Sequence, residues 1–252
     1  EVAVASSFAN WWSQPRLGGS LLSDQSTVAG EPLVLSKVGY LQRVDMAALQ
    51  AVAAQHDLKI FLSVLPGKFC TPGNPIAWVQ GLGSNNKACF EQMANAFHLA
   101  DRRTYDQDPR FGLVVLCEIA CRALSPAVND PGTAIAAMNT ITRVLVDGSK
   151  RNEAEAPPLD RLTQIPLDPA DFIHQAFDPI ARDGAGVPEV QMRMQKLLSI
   201  IAGGCGGAVA MAAHEQAGIS MQRALNALVL DRDKALLREV HIDLFSGAAT
   251  TA

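Results

Sequence analysis

The chain has 252 residues, 48% of them hydrophobic and 18% charged, with a formal net charge of −4. That balance supports a sizeable buried core and excludes a disordered polypeptide. Lysines and arginines are scattered, which excludes the clustered basic face of a nucleic-acid binder, so no nucleic-acid partner is expected.

Along residues 1–30 there is no clean periodicity. Glu1 to Trp12 lacks the basic stretch and apolar run of a signal peptide. Trp11, Trp12, Pro15, Gly18 and Gly19 suggest an irregular arm or a truncated connection to a membrane part. Residues 31–79 read as a small α+β unit. Pro32 to Val44 is extended with a bend at Gly39, and Asp45 opens a helix whose Met46, Leu49, Val52 and Ala53 share one face. Leu58 to Leu65 is rich in strand formers. Pro66-Gly67 and Pro72-Gly73-Asn74 are turns, and Lys68–Cys70 and Pro75–Val79 are strand-like. The string PGKFCTPGNPIAWV is similar to the hairpins of barrel-sandwich modules of the biotinyl or lipoyl type, a likeness of fold alone. No Met-Lys-Met or Asp-Lys-Ala stands at a hairpin tip, so Lys68 reads as a solvated turn residue.

Residues 88–244 read as a larger, mainly α-helical domain, so the fold class is α+β with a small β-rich, barrel-sandwich-like unit ahead of it. Ala88 to Asp101 carries Phe90, Met93, Phe97 and Ala100 at helical spacing. Asp-Pro pairs at 108–109, 130–131 and 168–169 predict three helix starts. The Asp carboxylate accepts free first-turn N–H groups, and Pro fits the next position, where an N–H would have no partner. Residues 152–165 read as a connector. A helical pattern follows Pro188 to about His214, with an interruption near Gly203-Gly204 and Gly206-Gly207. Ser220 is expected to cap a further helix to Leu230, and Asp231 to Leu244 forms the last. The uncharged run Leu197–Ala213 is somewhat short of the about 20 residues that cross a bilayer, so a buried, tightly packed helix is expected.

Five cysteines, Cys70, Cys89, Cys117, Cys121 and Cys205, are spread without a Cys-x-x-Cys pair and read as reduced and mostly buried. Cys117 and Cys121 share a helical face, but no further Cys or His stands at ligand spacing, so core packing is the reading and no metal is expected. The five histidines form no ligand motif. His98, His174, His214 and His241 are each placed on separate helices and His56 at a helix end. No phosphate loop, dinucleotide fingerprint or nucleophile elbow occurs, and no cofactor is expected.

Several strings, in order, resemble a known family. They are GYLQRVD (39–45) followed by PGKFCTPGNPIAWV (66–79), DRRTYDQDPRFG (101–112), RALSPAVNDPGTAI (122–135) and, more weakly, DFIHQAFDPIARDGAG (171–186). Over roughly residues 31–200 the chain resembles the extramembrane region of bacterial predicted membrane proteins grouped as domain of unknown function 2254. It departs from the family pattern at Gly132, where a larger residue is usual, at Lys68, where an acid is usual, and in the Gly-rich run 197–213. The resemblance implies spanning helices outside this sequence. It also implies a place at the bacterial inner membrane, with the protein's own spanning region and the lipid bilayer as partners. A homo-oligomeric transport, channel-like or sensory module is expected, leaning away from an enzyme. The resemblance supplies no catalytic residues.

The alternative is a membrane-tethered enzyme or anion-binding domain with its site at the Arg122–Thr133 loop. A helix N-terminus presents free N–H groups and a positive dipole end. Arg122, Ser125, Asn129, Asp130 and Thr133 surround one, although Arg122 pairing with Asp130 or Asp108, and turn bonding by Ser125 and Asn129, explain the same residues architecturally. A second cluster joins Arg102, Arg103, Asp106, Asp108 and Arg110. Its acids can bind a cation or act as acid and base, but helix capping and surface ion pairing account for them as well.

Overall fold

The computed structural model describes residues 2–14, 17–21, 30–82, 87–150 and 159–246. The chain forms two compact units. One comprises Ala9–Phe111 and Asn152–Leu167, and the other Glu1–Phe8, Gly112–Arg151 and Asp168–Ala252. Helix α1 (Val2–Ser13) runs across the first boundary.

All described strands lie in the first unit. They are β1 (Gly19–Leu21), β2 (Glu31–Val34), β3 (Gly39–Val44), β4 (Lys59–Leu62), β5 (Phe69–Cys70), β6 (Pro75–Gln80), β7 (Phe97–Ala100) and β8 (Leu159–Gln164), with helices α2 (Met46–Gln55) and α3 (Lys87–Asn95). One sheet has the order β1-β8-β4-β6-β2, and β8 runs parallel to both neighbours. The other is antiparallel, β5-β3-β7. Strand β4 alternates in burial, with Ile60 and Leu62 inward, as a period of two requires. Together with Leu41, Leu49, Ile76, Met93 and Leu162 they form one apolar core. Asp45 caps α2 by accepting the Ala48 N–H at 3.0 Å, as its position ahead of the apolar face predicts.

Four expectations change here. The β-rich unit is not confined to residues 31–79, because β8 returns from far along the chain to fill the slot between β1 and β4. Among the described residues neither sheet closes, so the likeness to a barrel-sandwich ends at its hairpins. The helix expected over 88–101 stops at Asn95. Phe97–Ala100 instead pairs with β3, where Phe97 stands opposite Val44, and ladder bonds plus burial of Phe97 outweigh a locally helical pattern. Residues 1–30 contain α1 and β1 where an irregular arm was expected, while Pro15 falls outside the described residues.

The second unit is helical. Its elements are α4 (Pro109–Leu124, from Gly112 onward), α5 (Pro131–Ser149), α6 (Ala170–Asp183), α7 (Pro188–Gly204), α8 (Gly207–Ala227) and α9 (Asp231–Phe245). Helix α7 packs against α5, α8 and α9, and α8 against α6 and α9. Small residues (Ala134, Ala176, Ala213, Ala217) alternate with Met138, Ile141, Phe172, Phe177, Met194 and Leu198 in a fully buried interior. Phe8 meets Phe172 edge to face at 5.1 Å.

The Asp-Pro signals mark the helix starts. Helices α4 and α5 begin at Pro109 and Pro131, and Asp168 accepts the Ala170 N–H at 2.9 Å as α6 begins. The Gly-rich run is a corner between two helices. Helix α7 ends at Gly204, Cys205 and Gly206 are extended, and Gly207 opens α8 at φ +55, a conformation that suits a residue without Cβ. Ser220 does not start a helix. It lies inside α8, buried, and its hydroxyl donates to the Ala217 carbonyl at 3.1 Å. Among the described residues no helix is long and apolar enough to cross a membrane.

Candidate functional site

The loop between α4 and α5 holds the first group of predicted site residues. Ser125 Oγ donates to the Arg122 carbonyl at 2.7 Å, which closes the end of α4. The N–H groups of Val128 and Asn129 both donate to the Ser125 carbonyl. Asn129 takes the left-handed conformation (φ 49), which Asn tolerates better than other residues with a Cβ, and it turns the chain back. The Asp130 N–H then reaches the Ala123 carbonyl at 2.8 Å.

Asp130 caps α5 through both carboxylate oxygens. One accepts the Thr133 N–H at 3.0 Å and the other the Thr133 hydroxyl at 2.6 Å. The Thr133 hydroxyl first, and its N–H second, hold the Asp130 carboxyl below the usual carboxylate range.

Arg122 does not join this corner. Its side chain is exposed and, among the described residues, makes no hydrogen bond or ion pair. The expected Arg122–Asp130 tie is absent because Thr133 already saturates the cap and backbone bonds already close the turn. The loop thus carries an unengaged guanidinium at the end of α4, and the N-terminus of α5 is filled by the Asp130 carboxylate.

Arg103 and Asp108 belong to the other unit, and their setting differs from a surface ion-pair cluster. Asp108 is 1% exposed. Arg103 donates to one carboxylate oxygen from Nε at 2.8 Å and from Nη2 at 2.6 Å, and Arg110 Nε approaches the other at 3.5 Å. Arg110 Nη2 also donates to the Pro66 carbonyl at 2.9 Å, and the Arg103 guanidinium lies over the Phe111 ring. Gly67 (φ +91) presses on the carboxylate so closely that a Cβ there would overlap it. Gln107 grips Val44 on both sides, accepting its N–H at 2.8 Å and donating to its carbonyl at 3.2 Å. The carboxylate is thus a fastener between the 66–67 turn and the start of α4. The sequence groups Arg103 and Arg110 with Asp108, but as a surface cluster; Gly67 does not stand out as a partner, its only trace being the Pro66-Gly67 turn signal.

Two further polar groupings escaped the sequence. A cleft of about 380 Å³ in the strand-bearing unit is lined by Leu35, Ser36, Lys37, Asn95, Phe97 and His98 among others. His98 lies on β7, not on a helix as expected. It accepts from Arg43 Nη2 through Nε2 at 3.0 Å, which leaves the ring proton on Nδ1. In the helical unit, Gln195 is wholly buried. Its Nε2 donates to the Ala217 carbonyl at 3.0 Å and Ser220 Oγ at 2.9 Å, and its Oε1 accepts from His241 Nδ1 at 2.8 Å. Burial pushes the His241 imidazole down from its ordinary value of 6.5. A glutamine on an amphipathic helix reads as surface, so nothing in the sequence flagged it. Among the described residues no group of three or more His, Cys, Asp or Glu is placed to hold a metal ion.

A family model described as "Predicted membrane protein (DUF2254)" matches residues 19–199. An uncharacterized protein of Mycobacterium bovis is 33% identical over 187 residues, covering 69% of this chain and 35% of the relative. Uncharacterized proteins of two Mycobacterium tuberculosis strains, H37Rv and CDC 1551, match with the same identity and coverage. The chain thus spans about a third of the length of these relatives. No solved structure matches it.

Proposed function

Because the chain belongs to the DUF2254 family of predicted membrane proteins, we propose that it is the extramembrane body of a bacterial inner-membrane protein and works as a non-enzymatic, oligomeric module of transport, channel-like or sensory type. The observation that carries this reading is the family match to a predicted membrane protein in a stretch whose described helices are too short or too polar to span. The polar groups agree with it. The Asp108 carboxylate is held by Arg103 and Arg110, and the Asp130 carboxylate caps α5 through Thr133, so both have architectural work to do. The test is fractionation of cells producing the full-length protein, followed by particle mass in detergent. A membrane-bound assembly of several copies is expected, and a monomer released from membranes by salt alone overturns the reading.

A second reading draws on the unengaged guanidinium of Arg122. It makes the loop of Arg122, Ser125, Asn129 and Thr133 an anion-binding site, with Asp130 as its electrostatic opponent. Inorganic phosphate added to labelled protein separates the two. Saturable amide shifts at Ser125, Asn129 and Thr133 that vanish in Arg122→Ala support a ligand site, and unshifted amides remove it.

A further inference from the structure

The cleft of about 380 Å³ in the strand-bearing unit is walled by three stretches: residues 35–37 between β2 and β3, residues 94–95 at the end of α3, and residues 97–99 of β7. Strand β7 is an edge of its sheet, paired to β3 alone, so part of its backbone has no ladder partner. No lining side chain is acidic, although the whole chain carries more acids than bases, 25 against 21. Lys37 is exposed on the lining, and among the described residues its ammonium has no hydrogen bond or ion pair. Arg43 stands opposite His98 across the β3–β7 pair and donates from Nη2 to His98 Nε2 at 3.0 Å. Among the described residues it has no carboxylate partner, so its charge is uncompensated beside a lining ring. His98 keeps its proton on Nδ1 as a further donor. The polar side-chain groups of Ser36 and Asn95 have no partner among the described residues either.

We propose that this cleft binds a small polyol phosphate, with Lys37 and Arg43 holding the phosphate group. Its volume falls in the range of small-molecule sites, roughly 300–1,000 Å³, and an inorganic ion alone would leave most of it empty. Near neutral pH a phosphate monoester carries a charge of about −1.5 to −2, which two cations match; a carboxylate would leave one of them uncompensated. Lysine supplies a compact charge and arginine a planar fork of donors, a combination suited to a tetrahedral group with several acceptor oxygens. The rest of the lining suits a hydroxylated body. Ser36 and Asn95 can each donate and accept, as hydroxyl groups require. The carbonyls of the last turn of α3 have no partner within the helix and can take hydroxyl protons. Leu35 and Leu99, half-buried against the core of this unit, offer an apolar surface to C–H groups. A soluble polyol phosphate and the glycerol phosphate head of a phosphatidate lipid share this chemistry.

The test has two arms on the purified protein: calorimetric titration with glycerol 3-phosphate, and sedimentation with phosphatidylcholine vesicles that contain or lack phosphatidate. Saturable binding of the phosphate ester is expected, with glycerate weaker by about tenfold or more and glycerol inert. Lys37→Ala and Arg43→Ala each remove an exposed side chain, so both should keep the wild-type melting temperature and weaken binding by about tenfold or more. Lys68→Ala, next to β5 at the far edge of the same sheet, should bind as wild type does, as should Arg122→Ala in the other unit. Binding of the soluble ester, lost in the Lys37 and Arg43 variants, supports a soluble ligand. Binding to phosphatidate vesicles alone, lost in the same variants, supports the proposal with the lipid as its source. Failure of both probes to bind overturns it, as does wild-type affinity in folded Lys37→Ala and Arg43→Ala proteins, or glycerate binding as tightly as the phosphate ester.

Discussion

The two units solve the burial of polar groups in opposite ways. The strand-bearing unit locks its loops with full charges: a buried carboxylate between two guanidiniums, pressed by a glycine with no room for a side chain. The helical unit has no comparable buried ion among its described residues. Its interior is stitched by neutral groups, Gln195 to Ser220 and His241, and Gln191 to the last carbonyls of α6. The contrast follows from length. Helices of 14 to 21 residues such as α5 to α8 satisfy their own backbone and need only a few neutral links. Strands of two to six residues cannot fix their connecting turns alone, and a strong, directional charged contact does so.

The contrast is broken most directly at Asp108. Asp108→Ala leaves two guanidiniums facing each other around a buried void and should cost about 3–5 kcal/mol. The lower end is expected, since Arg103 and Arg110 keep 21% and 20% of their side-chain surface in water. Denaturant unfolding measures the loss. Gly67→Ala should cost a similar amount, because its Cβ would overlap the carboxylate and the φ of +91 disfavours any Cβ. A Gly67→Ala protein as stable as wild type would show that the turn is not held by this contact.

Next in size is the neutral network. Gln195→Ala removes the donor to Ser220 Oγ and the acceptor of the part-buried His241 N–H, while Ser220 keeps its bond to the Ala217 carbonyl, and should cost about 1–3 kcal/mol. Relief of the deficit in a Gln195→Ala, Ser220→Ala double variant would confirm that unmet hydrogen bonds, rather than a cavity, set the loss.

His241 sharpens the comparison through pH. Its folded-state value lies below the ordinary 6.5, so the unfolded chain binds the proton more readily. Its contribution is fully present above about pH 6.5 and falls as pH drops from there toward the folded value. His241→Gln should flatten that part of the stability curve, read as the difference between wild type and variant across pH 7 to 5. Identical slopes would contradict a depressed imidazole.

The smallest effects belong to the exposed loop. Asp130→Ala should lower the melting temperature slightly by freeing the Thr133 N–H, and Asp130→Asn should restore most of it. Arg122→Ala should leave the melting temperature unchanged, since that guanidinium bonds to nothing among the described residues.

Local rules in the sequence reached the helix starts at Pro109 and Pro131, the cap at Asp45 and the break at Gly203–Gly207, because each depends on neighbours a few residues away. They failed where the deciding partner is remote. The ladder that makes 97–100 a strand comes from Val44, and the slot that makes 159–164 a strand lies between residues 19–21 and 59–62. The candidate site divides in the same manner. The Asp130 cap was readable from the Asp130-Pro131 pair, while the burial of Asp108 depends on a turn some forty residues earlier. Arg122 was misplaced because its position at a helix end suggested a partner that the backbone had already replaced.

The position of β8 has a consequence for how the molecule is made. As the chain leaves the ribosome, β4 and β1 are complete long before residue 164 emerges, and α4 and α5 must be synthesised in between. Until then the edges that β8 will cover have no partner strand, and neither is shielded by a proline. Helices α4 and α5, whose backbone bonds are all local, can form while the sheet still waits. Assembly of the sheet is therefore a late, long-range event. The nascent chain carries an adhesive edge through that interval, so chains arrested before residue 159 should be far more prone to aggregate than chains arrested just after the strand is whole.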